Sequence, residues 1–235
     1  SIKKLRKRKI KVIVKNFGKQ TRYINKVFFN SLNNNQPHIT LKIASTADGK
    51  IATKSKKSKW ITNSVSRQHG HMLRAQNDCI LVGRGTIVED NPSLDCRLSG
   101  LESFSPDLFI LDSTISIPNH YKIFSNHSRN VFVFYSDGKK RSNLNKKNIK
   151  YIKVSKKGSE LSLREILNKI TNLGYMRILV EGGSHLSGSL LKNNYVNEIQ
   201  WFRASKIIGK GGIDAVSDIG VSNMKSTKNF VCLLY

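Results

Sequence analysis

The chain has 235 residues, 38% hydrophobic and 24% charged, so it carries enough apolar side chain for a substantial core and is not a disordered segment. It holds 41 Lys and Arg against 15 Asp and Glu, a formal charge of +26, and residues 1–60 alone contain 17 of those cations and a single acid, Asp48. No basic-aromatic motif accompanies the lysines, so they read as a solvated coat and not as a nucleic-acid surface, and no run approaches the roughly 18 apolar residues of a membrane span.

In chain order, residues 1–36 stand apart from the rest. They hold a basic stretch without the apolar region of a secretory signal, a short strand at 11–14, and a helix-like run around 23–29. SLNNNQ ahead of Pro37 then reads as a linker, so the main domain is expected over 37–235. The chain starts at Ser without Met, as a piece of a longer protein would. Strands are predicted at 38–44, 79–83, 108–112, 131–135, 151–154, 177–180, 198–208 and 230–234, each a short apolar run bounded by turn residues. Helices are predicted at 64–75, with Val65, Met72 and Leu73 on one face, and at 162–173, where Leu163, Ile166, Leu167 and Ile170 form a stripe ended by Gly174; a third follows at 186–191. Strands alternating with helices define an α/β layered domain with a partly parallel sheet, the last two strands forming an antiparallel edge. Cys79, Cys96 and Cys232 are isolated, so neither a disulfide framework nor a metal site is indicated; Cys79 and Cys232 read as core thiols in a reducing cytoplasm.

Two glycine turns follow apolar strands. EGGSHLSGSLL (181–191) offers tight backbone, Ser184 as a helix cap and free N–H groups for a phosphate, with Glu181 at the strand end where α/β sheets place ligand contacts. A helix-dipole or lysine partner is the alternative role for Glu181. VGRGT (82–86) lets Gly83 and Gly85 approach a ligand, with Thr86 adding a hydroxyl, or is an ordinary loop. Two such turns suit an extended dinucleotide. Arg74 and Arg97, with Ser58, are candidates for a terminal phosphate, because the guanidinium fork matches phosphate oxygens. Asp48-Gly49 reads first as a hairpin turn, Asp90 either initiates a turn at Asn91-Pro92 or serves a site, and Lys42, a charge within an apolar strand, points either to solvent or into a site.

Taken together, LKIASTADGKIA, SKWIT, LRAQNDCILVGRGTIVEDNPSLDCR, LFILDS, RILVEGGSHLSGSLL and ASKIIGKGG are similar, in this order, to the reductase half of the bifunctional deaminase–reductase of riboflavin biosynthesis. The resemblance runs from about Pro37 to the C-terminus, and 1–36 resembles the tail of that family's deaminase domain without its zinc-binding HxE and PCxxC elements. It implies a dihydrofolate-reductase-like fold with a mixed, mostly parallel central sheet flanked by helices. It also implies a dimer, and NADPH-dependent reduction of 5-amino-6-(5-phosphoribosylamino)uracil at ribose C1′ in the cytoplasm.

By that resemblance, Ser58, Arg74, Leu94, Arg97 and Glu181 match substrate-binding positions. Ala44, Trp60, Thr86, Asp90, Ser113, Gly183, Ser184, His185, Leu186, Ser187, Gly188 and Ser189 match cofactor positions. Lys42, Asp90 and Glu181 are the acid–base candidates, with Lys42 and Glu181 the preferred pair near the ribose. Departures from the pattern are Thr46-Ala47, Asn91, which removes a charge near the nicotinamide side, and Ser205. Arg84 and Lys54 are candidates for the cofactor's 2′-phosphate, and Trp201 and Phe202 for a dimer face or the core. Other readings are a different dihydrofolate-reductase-like oxidoreductase, a basic nucleic-acid module, and a dimerising or regulatory partner.

Overall fold

The computed structural model describes residues 1–15, 18, 21, 24–29, 36–59, 61–126, 128–138 and 147–232. Its elements, in order, are α1 (Ile2–Lys7), β1 (His38–Thr46), β2 (Lys50–Ala52), α2 (Ser64–Ala75), β3 (Cys79–Gly83), α3 (Arg84–Asp90), β4 (Asp107–Leu111) and β5 (Val131–Tyr135). There follow β6 (Ile149–Lys153), β7 (Lys156–Lys157), β8 (Glu160–Leu161), α4 (Leu163–Asn172), β9 (Arg177–Val180), α5 (Ser184–Lys192), β10 (Glu198–Ala204) and β11 (Ile213–Asp214). Seven strands make one sheet in the order β10-β1-β9-β3-β4-β5-β6.

Every pairing in that sheet is parallel. Antiparallel pairing is confined to two small ribbons, β2 with β11 and β7 with β8. The α/β, mostly parallel fold is as expected, but the antiparallel edge is not: β10 lies parallel to β1, in register from Thr40 opposite Glu198 to Thr46 opposite Ala204. No strand forms at 230–232 or at 11–14, while 26–29 is helical; residues 233–235 and Tyr23 lie outside the described residues. Cys79 and Cys96 are buried, but Cys232 is exposed because its segment joins no sheet.

Both faces of a parallel sheet are covered, which is why runs such as CILVG and VFVFY are apolar throughout. The period of two sends Ile39, Leu41, Ile43, Leu81, Phe109 and Val180 to one face, against Ile166, Ile170 and Leu190 of α4 and α5. Ile80, Val82, Ile110 and Leu179 meet Leu73 of α2 and Ile87 of α3 on the other. Lys42 falls on this second face, toward α2.

Local chemistry sets the helix ends. Asn63 caps α2, its side chain accepting from the Ser66 N–H, and Ser162 caps α4 through the Glu165 N–H. The helix α3 starts directly at Arg84, where a turn was read from VGRGT, and ends with Asn91 in the left-handed region at φ 41°. Asn tolerates that conformation, and its Oδ1 accepts from the Lys122 N–H at 2.9 Å, so the residue at this departure closes the helix.

The chain leaves β1 and builds β3 through β6 outward on one side. It then returns to insert β9 between β1 and β3 and to add β10 beyond β1. The C-terminal ends of β1, β9 and β3 therefore meet where connections part in opposite directions, the place where open α/β sheets hold ligands.

Candidate active site

A cavity of about 980 Å³ lies along those strand ends. It brings together Lys42 and Ala44 from β1, Gly83, Arg84, Gly85 and Thr86 after β3, Ser113 after β4, and Glu181, Gly183 and Ser184 after β9. Ser58, Arg74, Asp90, Leu94, His185, Leu186 and Ser189 also line it. Trp60 lies outside the described residues.

The electrostatic centre is Glu181, whose side chain is only 10% exposed. Arg74, in the last turn of α2, grips it with both prongs: Nε donates to Oε1 at 2.6 Å and Nη2 to Oε2 at 2.9 Å. The third nitrogen, Nη1, donates to the Asp95 carbonyl at 2.9 Å. Lys42 Nζ stands 4.0 Å from Glu181 Oε2. Burial pushes the Glu181 carboxyl up, but the Arg74 charge, its hydrogen bonds and Lys42 outweigh burial and bring it to about 2. Glu181 is thus an ionised carboxylate at neutral pH, and Arg74 is already bound to it.

Other expected residues are placed differently. Arg97 does not line the cavity: its side chain is 64% exposed and its Nε lies 3.4 Å from Asp95. Ser187 and Gly188 also face away. Ser187 is buried with Oγ donating to the Gly183 carbonyl, and a Cβ on Gly188 would fall 2.0 Å from Ser217 Oγ, so this glycine lets the 217 loop pack on α5. Ser184 is the first helical residue and not the cap; Gly183 occupies that place without a side-chain bond.

The N–H groups of Ser184, His185 and Leu186 consequently have no hydrogen-bond partner among the described residues, leaving a helix N-terminus open toward the cavity. Cβ atoms built on Gly83 and Gly85 would meet nothing within 4 Å, so the β3–α3 junction leaves open space beside it. A pyrophosphate fits this pair of features. Asp90 accepts from Ser58 Oγ at 3.0 Å, tying the segment before α2 to the end of α3. Asp48 is a turn residue, as read: it takes the Ile208 and Gly209 N–H groups and the Thr46 hydroxyl, whose bond is foremost in bringing its carboxyl to about 2.

Several lining residues carry no signal in the local sequence. Lys56, Lys59 and Arg67 add positive charge at the rim, Lys56 bonded to Glu89 at 2.7 Å. The β7–β8 ribbon brings Ser159, Glu160 and Leu161 over the α5 side, with Glu160 bridging Ser189 at 3.1 Å and His185 at 3.0 Å. Polar sequence rich in Lys and Ser marks only a loop; its place over the cavity is set by β6 and α4.

Fold and cleft together define an α/β domain with an elongated, charged ligand crevice at the carboxyl edge of a parallel sheet. The model of the RibD C-terminal domain matches residues 37–232. The riboflavin biosynthesis protein RibD of Aquifex aeolicus (strain VF5) is 33% identical over 96% of this chain and 62% of that protein. That of Bacillus amyloliquefaciens is 32% identical over 89% of the chain and 56% of that protein. A crystal structure from Thermotoga maritima superposes with TM-score 0.82 at 28% identity, over 99% of this chain and 62% of that one. That structure is of a diaminohydroxyphosphoribosylaminopyrimidine deaminase/5-amino-6-(5-phosphoribosylamino)uracil reductase. The chain belongs to the RibD C-terminal domain family, with its dihydrofolate-reductase-like fold, and spans about three-fifths of the length of the relatives it matches. Among the described residues no helix is long and apolar enough to cross a membrane, and no group of three His, Cys, Asp or Glu could hold a metal ion.

Proposed function

We propose that the chain reduces 5-amino-6-(5-phosphoribosylamino)uracil to the ribitylamino compound with NADPH, a step of riboflavin biosynthesis. The observation that carries this reading is the Lys42–Glu181–Arg74 cluster at one end of a cavity whose other wall is an open helix N-terminus flanked by glycine turns.

The reduced nicotinamide, when bound, supplies the hydride. The chain's own residues do the rest. The ribosylamine ring opens when its ring oxygen gains a proton, and Lys42 is the group that can bring one there. Glu181, held as a carboxylate, cannot donate; it accepts from sugar hydroxyls and stands 4.0 Å from Lys42 Nζ. Asp90 orients Ser58, while Leu94 and Ala44 supply apolar wall. The substrate phosphate is assigned to the rim, where Ser58 meets the field of Lys56, Lys59 and Arg67, and not to Arg97, whose side chain lies exposed beside Asp95.

The pyrophosphate of the cofactor is assigned to the Ser184, His185 and Leu186 N–H groups, with Thr86 and Ser113 beside it. Arg84, fixed by Nε on Ser116 Oγ at 2.5 Å, is the cation for the 2′-phosphate, whereas Lys54 does not line the cavity. A homodimer is proposed through the outer edge of β10, where Trp201 is 43% exposed; Phe202 instead packs on His69, with ring centroids 5.7 Å apart. Residues 1–36 are proposed as the tail of a preceding deaminase domain, and the cytoplasm as the compartment.

The test follows NADPH absorbance with the phosphorylated substrate and its dephosphorylated analogue. Turnover of the former alone is expected. Equal turnover of both refutes the phosphate assignment, and turnover of neither refutes the reductase reading.

A further inference from the structure

Residues 91–97 form no helix or strand, yet they run along the substrate end of the cavity with Leu94 and Cys96 almost fully buried, at 3% and 2% exposure. Buried main chain outside regular structure must find donors for its carbonyls. Those of Ser93, Leu94 and Asp95 receive no main-chain N–H among the described residues. Two guanidinium groups serve them instead, with His71 Nδ1 also 3.1 Å from the Asp95 carbonyl. Arg74 Nη1 takes the Asp95 carbonyl. Arg129, just ahead of β5 and only 4% exposed, donates Nη1 to the Leu94 carbonyl at 2.6 Å and Nη2 to the Ser93 carbonyl.

This arrangement is costly in isolation. Arg129 makes no ion pair within bonding distance among the described residues, and its buried Nε has no hydrogen-bond partner. A buried charge held only by carbonyls is a poor source of stability compared with an apolar side chain of the same size. What the fork achieves is geometric. Leu94 sits at φ 53°, in the left-handed region that a leucine enters against its own steric preference, and its side chain lines the cavity. Two donors in one rigid plane, each on a successive carbonyl, fix the two peptide units on either side of the Leu94 Cα and so hold that conformation.

We propose that Arg129 is a positioning residue for the substrate end of the cavity, clamping the Ser93 and Leu94 carbonyls so that Leu94 keeps its left-handed backbone and presents its side chain to the ligand. The proposal rests on the reading of this end of the cavity as the substrate's. Arg129 touches neither reacting group; it acts through Leu94.

The experiment compares wild type, Arg129→Lys and Arg129→Met, each also carrying Leu94→Gly, in steady-state kinetics with the phosphorylated ribosylaminouracil and NADPH. Amide hydrogen exchange of residues 93–97 is measured in parallel. Either Arg129 substitution is expected to raise substrate KM about tenfold while NADPH KM stays within about twofold, the signature of lost substrate binding alone. Lysine should not rescue, since an ammonium on a flexible stem can bond carbonyls but cannot fix two of them in the plane of a rigid fork. In the Leu94→Gly background the same substitutions should change substrate KM less than about threefold, because glycine enters the left-handed region freely. Exchange at 93–97 should quicken in both variants. Equal rises in both KM values, or a loss of folded protein with unchanged KM and unchanged exchange at 93–97, would overturn the proposal. If the methionine variant does not fold, the lysine variant decides. If wild type turns over no aminouracil, the functional reading fails, and the exchange rates still judge the clamp.

Discussion

Replacing Arg74 by methionine would leave the Glu181 carboxylate 10% exposed with only Lys42, 4.0 Å away, as a counter-charge. Its magnitude can be worked in two ways. The fall of the carboxyl from 4.5 to about 2 corresponds to about 3 kcal/mol of favourable interaction at neutral pH. Breaking a buried ion pair by removing one partner costs about 3–5 kcal/mol. Both are a large share of the roughly 5–15 kcal/mol by which a domain is stable. The sign with pH is specific. In the wild type this carboxylate's contribution is complete above pH 4.5 and is lost as pH falls through about 2. In Arg74→Met, burial raises the carboxyl, so the variant's deficit shrinks as pH is lowered from 7 toward 5. Urea unfolding of both proteins at those two pH values, followed by circular dichroism, measures the difference. Adding Glu181→Leu to Arg74→Met should recover most of the loss, since no unpaired charge then stays buried. A cost under about 1 kcal/mol, the same at both pH values, would mean that the pair is effectively solvated and would refute the reasoning.

Lys42→Met is expected to lower kcat about a hundredfold with little change in NADPH KM, as for the loss of a proton donor; a change confined to KM would make Lys42 a binding residue. Asn63→Ala removes the α2 cap and should cost about 1 kcal/mol in thermal or urea unfolding, and an unchanged midpoint would deny the cap its role. Gly188→Ala places a methyl against Ser217 and should destabilise by about 1–3 kcal/mol, whereas Gly85→Ala, with nothing within 4 Å, should fold normally; equal stabilities of the two variants would show that the 217 loop simply yields.

Sequence alone determines much of the local architecture. CILVG, and RILV after its exposed first residue Arg177, are apolar because both faces of their strands are covered, and Ile166, Leu167 and Ile170 form a stripe because only one face of α4 is. The glycine turns after β3 and β9 likewise announce themselves, and the cavity does form beside them. Tertiary structure alone decides which charges meet. Arg74 and Glu181 are separated by 107 positions and are joined only because β9 inserts beside β1 beneath α2. Arg97 resembles Arg74 as a sequence signal yet projects to solvent, and Arg129, an unremarked basic residue in SRN, is buried under the 91–97 segment. Periodicity is written between near neighbours, where a helix or strand repeats within a few residues. The parallel order of strands, and the partner a buried charge finds, depend on long crossovers and on desolvation, to which no local stretch of sequence responds.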